Sequence, residues 1–417
     1  MTTSPAPTGS APPAPAADDR ALLLRVSGPD HPGITSSLMA LLDRMGATVE
    51  DVEQVVIRRH LTLGLAVRAP DDADFEPVRR LGVDRGLSIE IEPIAAVPTA
   101  RALGSVVTVL APKLTPAQLG AVASAIADAG GNIDRINRLS RYPVTSYELT
   151  VLGSPTDRLR AALVQVARDF EIDMAIQPDG LGRRSQRLVV LDVDSTVIRN
   201  EVIDLLAEEC GRGAEVAAVT AAAMAGELDF GQALQQRVAL MAGTDAAALD
   251  RVRERVVLTP GARTFVRTLR RMGFKVAIVS GGFTFVTDAL AADLEVDRAV
   301  ANELEIVDGR LTGRVVGRVV DRARKAEVLR ELAEGEGIPL DQTVAIGDGA
   351  NDLDMLAQAG LGIAFNAKPI LRDAADATVN VPYLDAVLFL LGVRRSEIEA
   401  ADHADGAGPE GIRVPLD

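Results

Sequence analysis

The residues best placed to do chemistry are acidic. Asp192 and Asp194 stand one residue apart in LDVDSTVIRN, directly after the apolar run Arg187–Leu191. Two carboxylates gathered next to a phosphate are electrostatically unfavourable unless a cation neutralises part of their charge. Asp348 supplies a third carboxylate after a second apolar run, Thr343–Ile346. It lies in GDGANDLDML, where Gly347 and Gly349 permit a tight strand exit and Asn351 and Asp352 open the next helix. An all-oxygen set of this kind is the one Mg2+ prefers. Three His and a single Cys leave little material for a His/Cys zinc site. A further run, Lys275–Val279, ends in Ser280-Gly281-Gly282. Each feature taken singly has an ordinary reading: Asp or Ser after a strand commonly caps a helix, and a glycine pair makes a turn. Three strand exits carrying carboxylate, hydroxyl with glycines, and carboxylate point to one shared site.

Such exits need a scaffold. Short apolar strands at 187–191, 275–279, 343–346 and 362–365 alternate with helical stretches, the pattern of a parallel sheet covered on both faces. In open sheets of that kind chemistry sits at the carboxyl ends of the strands. A largely helical insertion at about 203–257 interrupts the segment after its first strand.

Two similar units precede it. The first runs strand, helix, strand, strand, helix, strand (βαββαβ), with the turn GPDHPGI between its first strand and helix. Shifting it by 84 residues puts Gly46 on Gly130, Val49 on Ile133, Val52 on Ile136 and Leu65 on Leu149, as expected of an internal duplication. The expected organisation is a disordered tail over 1–20, repeats over 21–96 and 103–178, a catalytic α/β segment over 186–395, and a flexible tail over 396–417.

Composition bounds the partners. The chain has 417 residues, 47% hydrophobic and only 3% aromatic, with no Trp, so its cores are aliphatic. A formal charge of −15 argues against nucleic acid or an anionic membrane as partner. It does not argue against a phosphate substrate, because a metal and basic side chains set the local field. One cysteine excludes an intrachain disulfide, no apolar run reaches transmembrane length, and the start has no secretory pattern. A cytoplasmic location is expected.

Residues 187–395 resemble the phosphoserine phosphatases of the haloacid dehalogenase-like superfamily. DVDST matches the first motif, VSGGF the second, Lys325 the basic residue and GDGANDLDM the third. The resemblance implies a Rossmann-like parallel-sheet domain with a helical cap. It implies that Asp192 attacks phosphorus to form an aspartyl-phosphate, and that Asp194 protonates the leaving group and then activates water. It assigns Mg2+ to Asp192, Asp348 and the Asp194 carbonyl, with Asp352 in support. Ser280, Gly281, Lys325 and Asn351 are expected at the phosphate. In the cap, it gives Glu201 the substrate ammonium, Arg237 the carboxylate, and Phe230 the exclusion of water. The implied reaction is hydrolysis of O-phospho-L-serine to L-serine and phosphate, the last step of serine biosynthesis. Another small phosphomonoester remains the alternative substrate, and an amino-acid-binding regulator with a vestigial phosphatase segment is a reading of a different class.

The paired units resemble ACT domains, which implies amino-acid binding and assembly into a homodimer. In GPDHPGI, Gly28 and Gly33 permit close backbone approach, and Asp30 and His31 offer polar contacts before a helix start, where a free amino acid such as an L-serine effector is expected. The second unit reads PKLTPAQ at the same place, without either glycine, and is expected to be mainly structural.

Overall fold

The computed structural model describes residues 19–95 and 104–406, so most of the tail expected over 1–20 lies outside the described residues. The chain divides into two compact units, with the boundary between residues 101 and 102.

In the first unit, strict alternation in HLTLGLAVRAP buries Leu61, Leu63, Leu65, Val67 and Ala69 on one face, the period-2 signature of a half-buried strand. The elements are β1 (Asp19–Pro29), α1 (Ile34–Arg44), β2 (Thr48–Ile57), β3 (His60–Pro70), α2 (Glu76–Arg85) and β4 (Ser88–Pro93). They form an antiparallel sheet in the order β2-β3-β1-β4. Leu38 and Leu42 of α1 and Val78 of α2 seal its covered face.

The second repeat opens the second unit with β5 (Ser105–Ala111), α3 (Pro116–Asp128), β6 (Asn132–Ser140), β7 (Thr145–Leu152), α4 (Thr156–Asp169) and β8 (Asp173–Pro178). Its order, β6-β7-β5-β8, repeats the first. The duplication extends to detail. Gly46 and Gly130 both end a helix with positive φ, at 69° and 80°. Register shifts at Val49/Asp51 and Ile133/Arg135 fall at equivalent places.

The catalytic segment follows with β9 (Leu188–Leu191) and four helices, α5 (Val202–Glu209), α6 (Gly213–Met224), α7 (Phe230–Ala239) and α8 (Ala247–Arg255). These helices are the expected insertion. The chain leaves and re-enters beside itself, where Ile198 bridges Leu258. Then come α9 (Ala262–Arg271), β10 (Lys275–Phe283), α10 (Thr284–Leu294), the hairpin β11 (Arg298–Val307) and β12 (Arg310–Val316), and α11 (Arg322–Gly335). The segment closes with β13 (Thr343–Gly347), α12 (Leu353–Gln358), β14 (Leu361–Phe365), α13 (Pro369–Arg372), β15 (Ala377–Val379), α14 (Val387–Leu390) and α15 (Arg395–Ala404). The order is β12-β11-β10-β9-β13-β14-β15, parallel apart from β12. Val189 and Leu191 of β9 enter one core with Phe265 and Leu269 of α9, while Leu188 and Val190 enter another with Val328 and Leu329 of α11. Burial on both faces is why this strand reads as an unbroken apolar run.

Two expectations are corrected. The tail placed at 396–417 begins as a helix: in α15 Ile398 is buried, and Asp402 accepts hydrogen bonds from Arg267 and Arg271 of α9. Its loose-looking composition hid one core residue and a carboxylate matched to arginines more than a hundred positions away. Residues 407–417 lie outside the described residues. The second repeat, expected as a separate domain, is fused to the catalytic sheet. Ala175 of β8 pairs antiparallel with Ala377 of β15, making an 11-stranded sheet. Leu110, Leu139 and Val144 share one core with Leu384 and Val387. The buried Asp173 carboxylate accepts from the Asn380 backbone N–H at 2.7 Å, Asn380 Nδ2 at 2.6 Å and Thr378 Oγ1 at 3.2 Å. Burial lifts its pKa to about 6 although these donors oppose the shift.

Candidate active site

Strand register assembles the site. Leu191 of β9 pairs with both Ile278 of β10 and Ile346 of β13. One residue beyond Leu191 is Asp192, and two beyond Ile278 and Ile346 are Ser280 and Asp348. All three therefore lie at the carboxyl edge of the central strands, where strand order reverses about β9.

Asp192 is 2% exposed. Its Oδ1 accepts from the Val193 N–H at 2.8 Å and pairs with Lys325 Nζ at 2.6 Å. Oδ2 accepts no hydrogen bond among the described residues. Lys325, wholly buried on α11, also binds Asp352 Oδ1 at 2.8 Å, and Asp352 Oδ2 accepts from Gly349 N–H. Gly347 is required here: a Cβ on it would lie 2.3 Å from Asp352 Cγ.

Ligand atoms of Asp192, Asp348 and Asp352 lie within 4.8 Å of one another; Lys325 is bonded to Asp192 and Asp352, and the Lys368 charge also acts on Asp348. Burial, then the Asp352 charge, pushes Asp192 up despite Lys325, and burial with Asp352 and Glu201 lifts Asp348 to about 7. Burial opposes the charge on Lys325, but Asp192 and Asp352 outweigh it and hold its pKa above the ordinary lysine value. Three clustered carboxylates, with Asp192 and Asp348 held above the usual carboxylate range, fit a hard divalent cation bound through oxygen.

That cluster fixes a pH dependence for metal-free protein. An acid whose folded pKa is raised stabilises the fold fully below its unfolded pKa, 3.8 here, and loses that contribution as pH rises through the folded value, about 7 for Asp348. Thermal unfolding in chelator will therefore show stability falling by about 2–4 kcal/mol between pH 5 and 8. Stabilisation by Mg2+ will grow over the same interval, because the metal binds the deprotonated carboxylates. Metal-free stability that rises across this interval contradicts the cluster as described.

Asp194 sits between cap and sheet. Its Oδ1 accepts from the Val202 N–H at the start of α5, and Oδ2 from Ser280 Oγ, both at 2.8 Å. Burial raises its pKa against these two donors. Ser280 Oγ in turn accepts from the Gly282 N–H at 2.7 Å. Asn351 folds over the neighbouring turn, where a Cβ on Gly349 would meet its Oδ1 at 2.3 Å.

The cap residues reach the same pocket. A Cβ on Gly281 would lie 3.0 Å from Phe230 Cζ, so the ring covers the glycine turn. Glu201, at the start of α5, accepts from Ser195 Oγ at 2.8 Å. The Arg237 Nε donates to Ala233 O, and the guanidinium faces Asp204, Glu201 and Asp194, whose charges oppose the lowering of its pKa by burial. Sequence reasoning missed Ser195, held at φ 57°, and Asp204 beside Arg237. It also missed Asn302, buried and bonded to Gly281 O. Ser195 lay within the first motif and was legible there; Asn302 comes from a strand with no marking of its own.

The GPDHPGI loop lies in the other unit. Gly28 is needed for packing rather than for ligand approach: a Cβ on it would strike Leu87 Cδ2 at 2.8 Å. Gly33, at φ 89°, precedes α1 without a side-chain cap, and Asp30 and His31 are exposed. In the second repeat, Thr115 and Gln118 form a capping box that occupies the N-terminus of α3.

The haloacid dehalogenase-like hydrolase family matches residues 189–357, and ACT domain families match residues 20–85 and 104–177. A phosphoserine phosphatase of Streptomyces coelicolor is 53% identical over 387 residues, 91% of this chain and 94% of that protein. One of Mycobacterium tuberculosis is 50% identical over 406 residues, 95% of this chain and 98% of that protein. A crystal structure of a hydrolase of the same superfamily from Salmonella enterica, at 29% identity, covers 69% of this chain and 98% of its own, with a TM-score of 0.61.

Proposed function

The chain belongs to the phosphoserine phosphatases of the haloacid dehalogenase-like hydrolases, and from that we propose how its own residues hydrolyse O-phospho-L-serine to L-serine and phosphate, the last step of serine biosynthesis. The observation that carries the reading is the convergence of Asp192, Asp194, Ser280 and Lys325 at one sheet edge beneath Phe230 and Arg237.

Asp192 is the nucleophile. Lys325 and the Val193 N–H hold its Oδ1, which directs the carboxylate and leaves Oδ2 unbonded. The aspartyl-phosphate forms as the seryl oxygen departs, and Asp194 gives that oxygen its proton. Asp194 then takes a proton from the water that attacks phosphorus and releases Asp192. Lys325, Asn351 and the Gly281 N–H grip the phosphoryl oxygens, and Ser280 lies beside them with its one hydroxyl hydrogen on Asp194 Oδ2. Asp192, Asp348 and the Asp194 carbonyl would hold Mg2+, with Asp352 in support. When bound, the ion neutralises charge on the carboxylates and the phosphate oxygens.

Glu201 takes the substrate ammonium, Arg237 its carboxylate, and Phe230 closes the pocket to water. A planar guanidinium grips a carboxylate through two parallel bonds, which an ammonium does not reproduce. Arg237→Lys will therefore lose about 10–100-fold in kcat/KM on phosphoserine, and at least about 10-fold less on phosphoethanolamine, which lacks the carboxylate. Equal losses on both would make Arg237 a closure or packing residue, and a wild-type enzyme that turns over β-glycerophosphate as well as phosphoserine would favour the broader phosphomonoester reading.

The first repeat is proposed to bind L-serine at the uncapped start of α1, with Asp30 taking the ammonium, and to join a second copy into a homodimer. The support is twofold. The α1 N–H groups have no side-chain cap, and edge strand β2 leaves Val52, Val55, Val56 and Ile57 between 45% and 67% exposed. Serine titration of wild type and Asp30→Ala, following rate and molecular mass, tests this. Wild type is expected to be a dimer whose rate responds to serine, and Asp30→Ala a dimer with the response weakened about tenfold or more. Identical responses would move serine to the catalytic pocket as a product inhibitor. No helix among the described residues is long and apolar enough to cross a membrane.

A further inference from the structure

Asn302 lies on β11, is 1% exposed, and touches none of the reacting groups. Its amide joins two parts of the site that are otherwise separate in the chain. Nδ2 donates to Gly281 O at 2.8 Å, and Oδ1 accepts from the Val320 N–H at 2.8 Å. Val320 directly precedes Asp321, which caps α11, the helix that carries Lys325.

The first of these bonds fixes a peptide plane. Gly281 C=O and Gly282 N–H belong to one planar unit and point in opposite directions. With the carbonyl held by Asn302, the N–H is turned the other way, onto Ser280 Oγ at 2.7 Å. That leaves the Ser280 hydroxyl hydrogen for Asp194 Oδ2 at 2.8 Å. The four bonds run head to tail from Val320 N–H through Asn302, the Gly281–Gly282 peptide and Ser280 to Asp194, an arrangement in which each bond polarises the next. Glycine at 281 and 282 makes the fixing necessary, because without side chains that peptide is otherwise free to turn over.

We infer that Asn302 is the positioning residue that orients the Gly281–Gly282 peptide and, through Ser280, sets the Asp194 carboxyl for proton transfer to the leaving oxygen. The inference rests on the proposed role of Asp194. Asn302→Asp preserves volume and the acceptor for Val320, but sets a carboxylate oxygen against Gly281 O, which turns the peptide over. Asn302→Ser keeps a polar group on the same side but is one atom shorter, so it loosens both bonds without adding charge.

The experiment compares kcat/KM for O-phospho-L-serine with that for p-nitrophenyl phosphate, whose leaving group departs without a proton. Asp194→Asn serves as reference, and thermal unfolding reports folding. Asn302→Asp is expected to lose about 10–100-fold on phosphoserine, the range seen when an outer partner of a catalytic group is removed, and about 3-fold or less on the aryl ester. Equal losses on both substrates, or wild-type values on both, overturn the inference, since a packing role or a displaced phosphate grip does not discriminate between leaving groups. If Asn302→Asp does not fold, Asn302→Ser is expected to show the same selectivity at smaller size, and equal losses there overturn it as well. Should Asp194→Asn itself fail to discriminate, the acid role of Asp194 falls and the inference falls with it. Should Asp194→Asn discriminate and the Asn302 variants not, the inference alone is wrong.

Discussion

Lys325→Met will destabilise the metal-free catalytic unit by about 3–5 kcal/mol, the range found when one partner of a buried ion pair is removed. Lys325 is wholly buried and is bonded to both Asp192 and Asp352, with Asp348 part of the same cluster. Methionine fills much of the lysine volume, so the cost is chiefly uncompensated carboxylate charge rather than a cavity. Mg2+ will therefore restore much of the lost stability, because binding to the native state adds directly to it. Turnover will not recover, since the cation that holds Asp192 Oδ1 and the phosphoryl oxygens is gone; a loss of at least about 10²–10³-fold is expected, as for removal of a donor to developing charge. Chelator and Mg2+ melting curves, with rates on the same samples, separate the two effects. A variant as stable as wild type in chelator would show that Lys325 offsets no carboxylate charge in the metal-free site and that the cluster has been misread.

Asp192→Asn will have the opposite profile. It removes the attacking oxygen and costs at least about 10⁴-fold in turnover, as expected for loss of a nucleophile. Yet it also removes a buried carboxylate that burial and Asp352 both disfavour, leaving Lys325 to serve Asp352 alone. Metal-free Asp192→Asn will melt at or above the wild-type temperature. The pairing of nearly complete inactivity with undiminished stability distinguishes a group kept for chemistry from one kept for folding. Activity within tenfold of wild type would remove Asp192 from the mechanism.

How much of this was legible in the sequence follows from what each feature depends on. The strand exits were readable because strands buried on both faces appear as apolar runs, and a polar residue ending such a run marks the sheet edge. Leu191 followed by Asp192, and Ile346 followed two positions later by Asp348, are both visible in that way. The duplication was readable because a glycine and several apolar positions recur at one offset, and the matching register shifts bear it out. Phe230 and Arg237 lie two turns apart on α7, with the ring over Gly281 and the guanidinium facing Asp194, as their spacing on a helix allows.

What was not legible depends on long-range partners. The fusion of the second repeat to the catalytic sheet rests on one strand pairing, on a core shared by Leu110, Leu139 and Val144 with Leu384 and Val387, and on Asp173 meeting Asn380 and Thr378 some 200 residues away. Helix α15 was hidden because Asp402 looks like a tail residue until Arg267 and Arg271 are set beside it. Gly28 was read for ligand approach, whereas its hydrogen faces Leu87. Asn302 matters only because β11 runs beside β10, which no local pattern announces.

In this mechanism Asp192 carries the phosphoryl group between serine and water. Wild-type enzyme mixed with Mg2+ and phosphoserine labelled in phosphorus, quenched in acid within milliseconds and digested, tests it most directly. One acid-stable, base-labile labelled peptide is expected, containing Asp192 and missing from Asp192→Asn. Label on any other residue, or a full turnover of phosphate release with no labelled protein at any quench time, would contradict it.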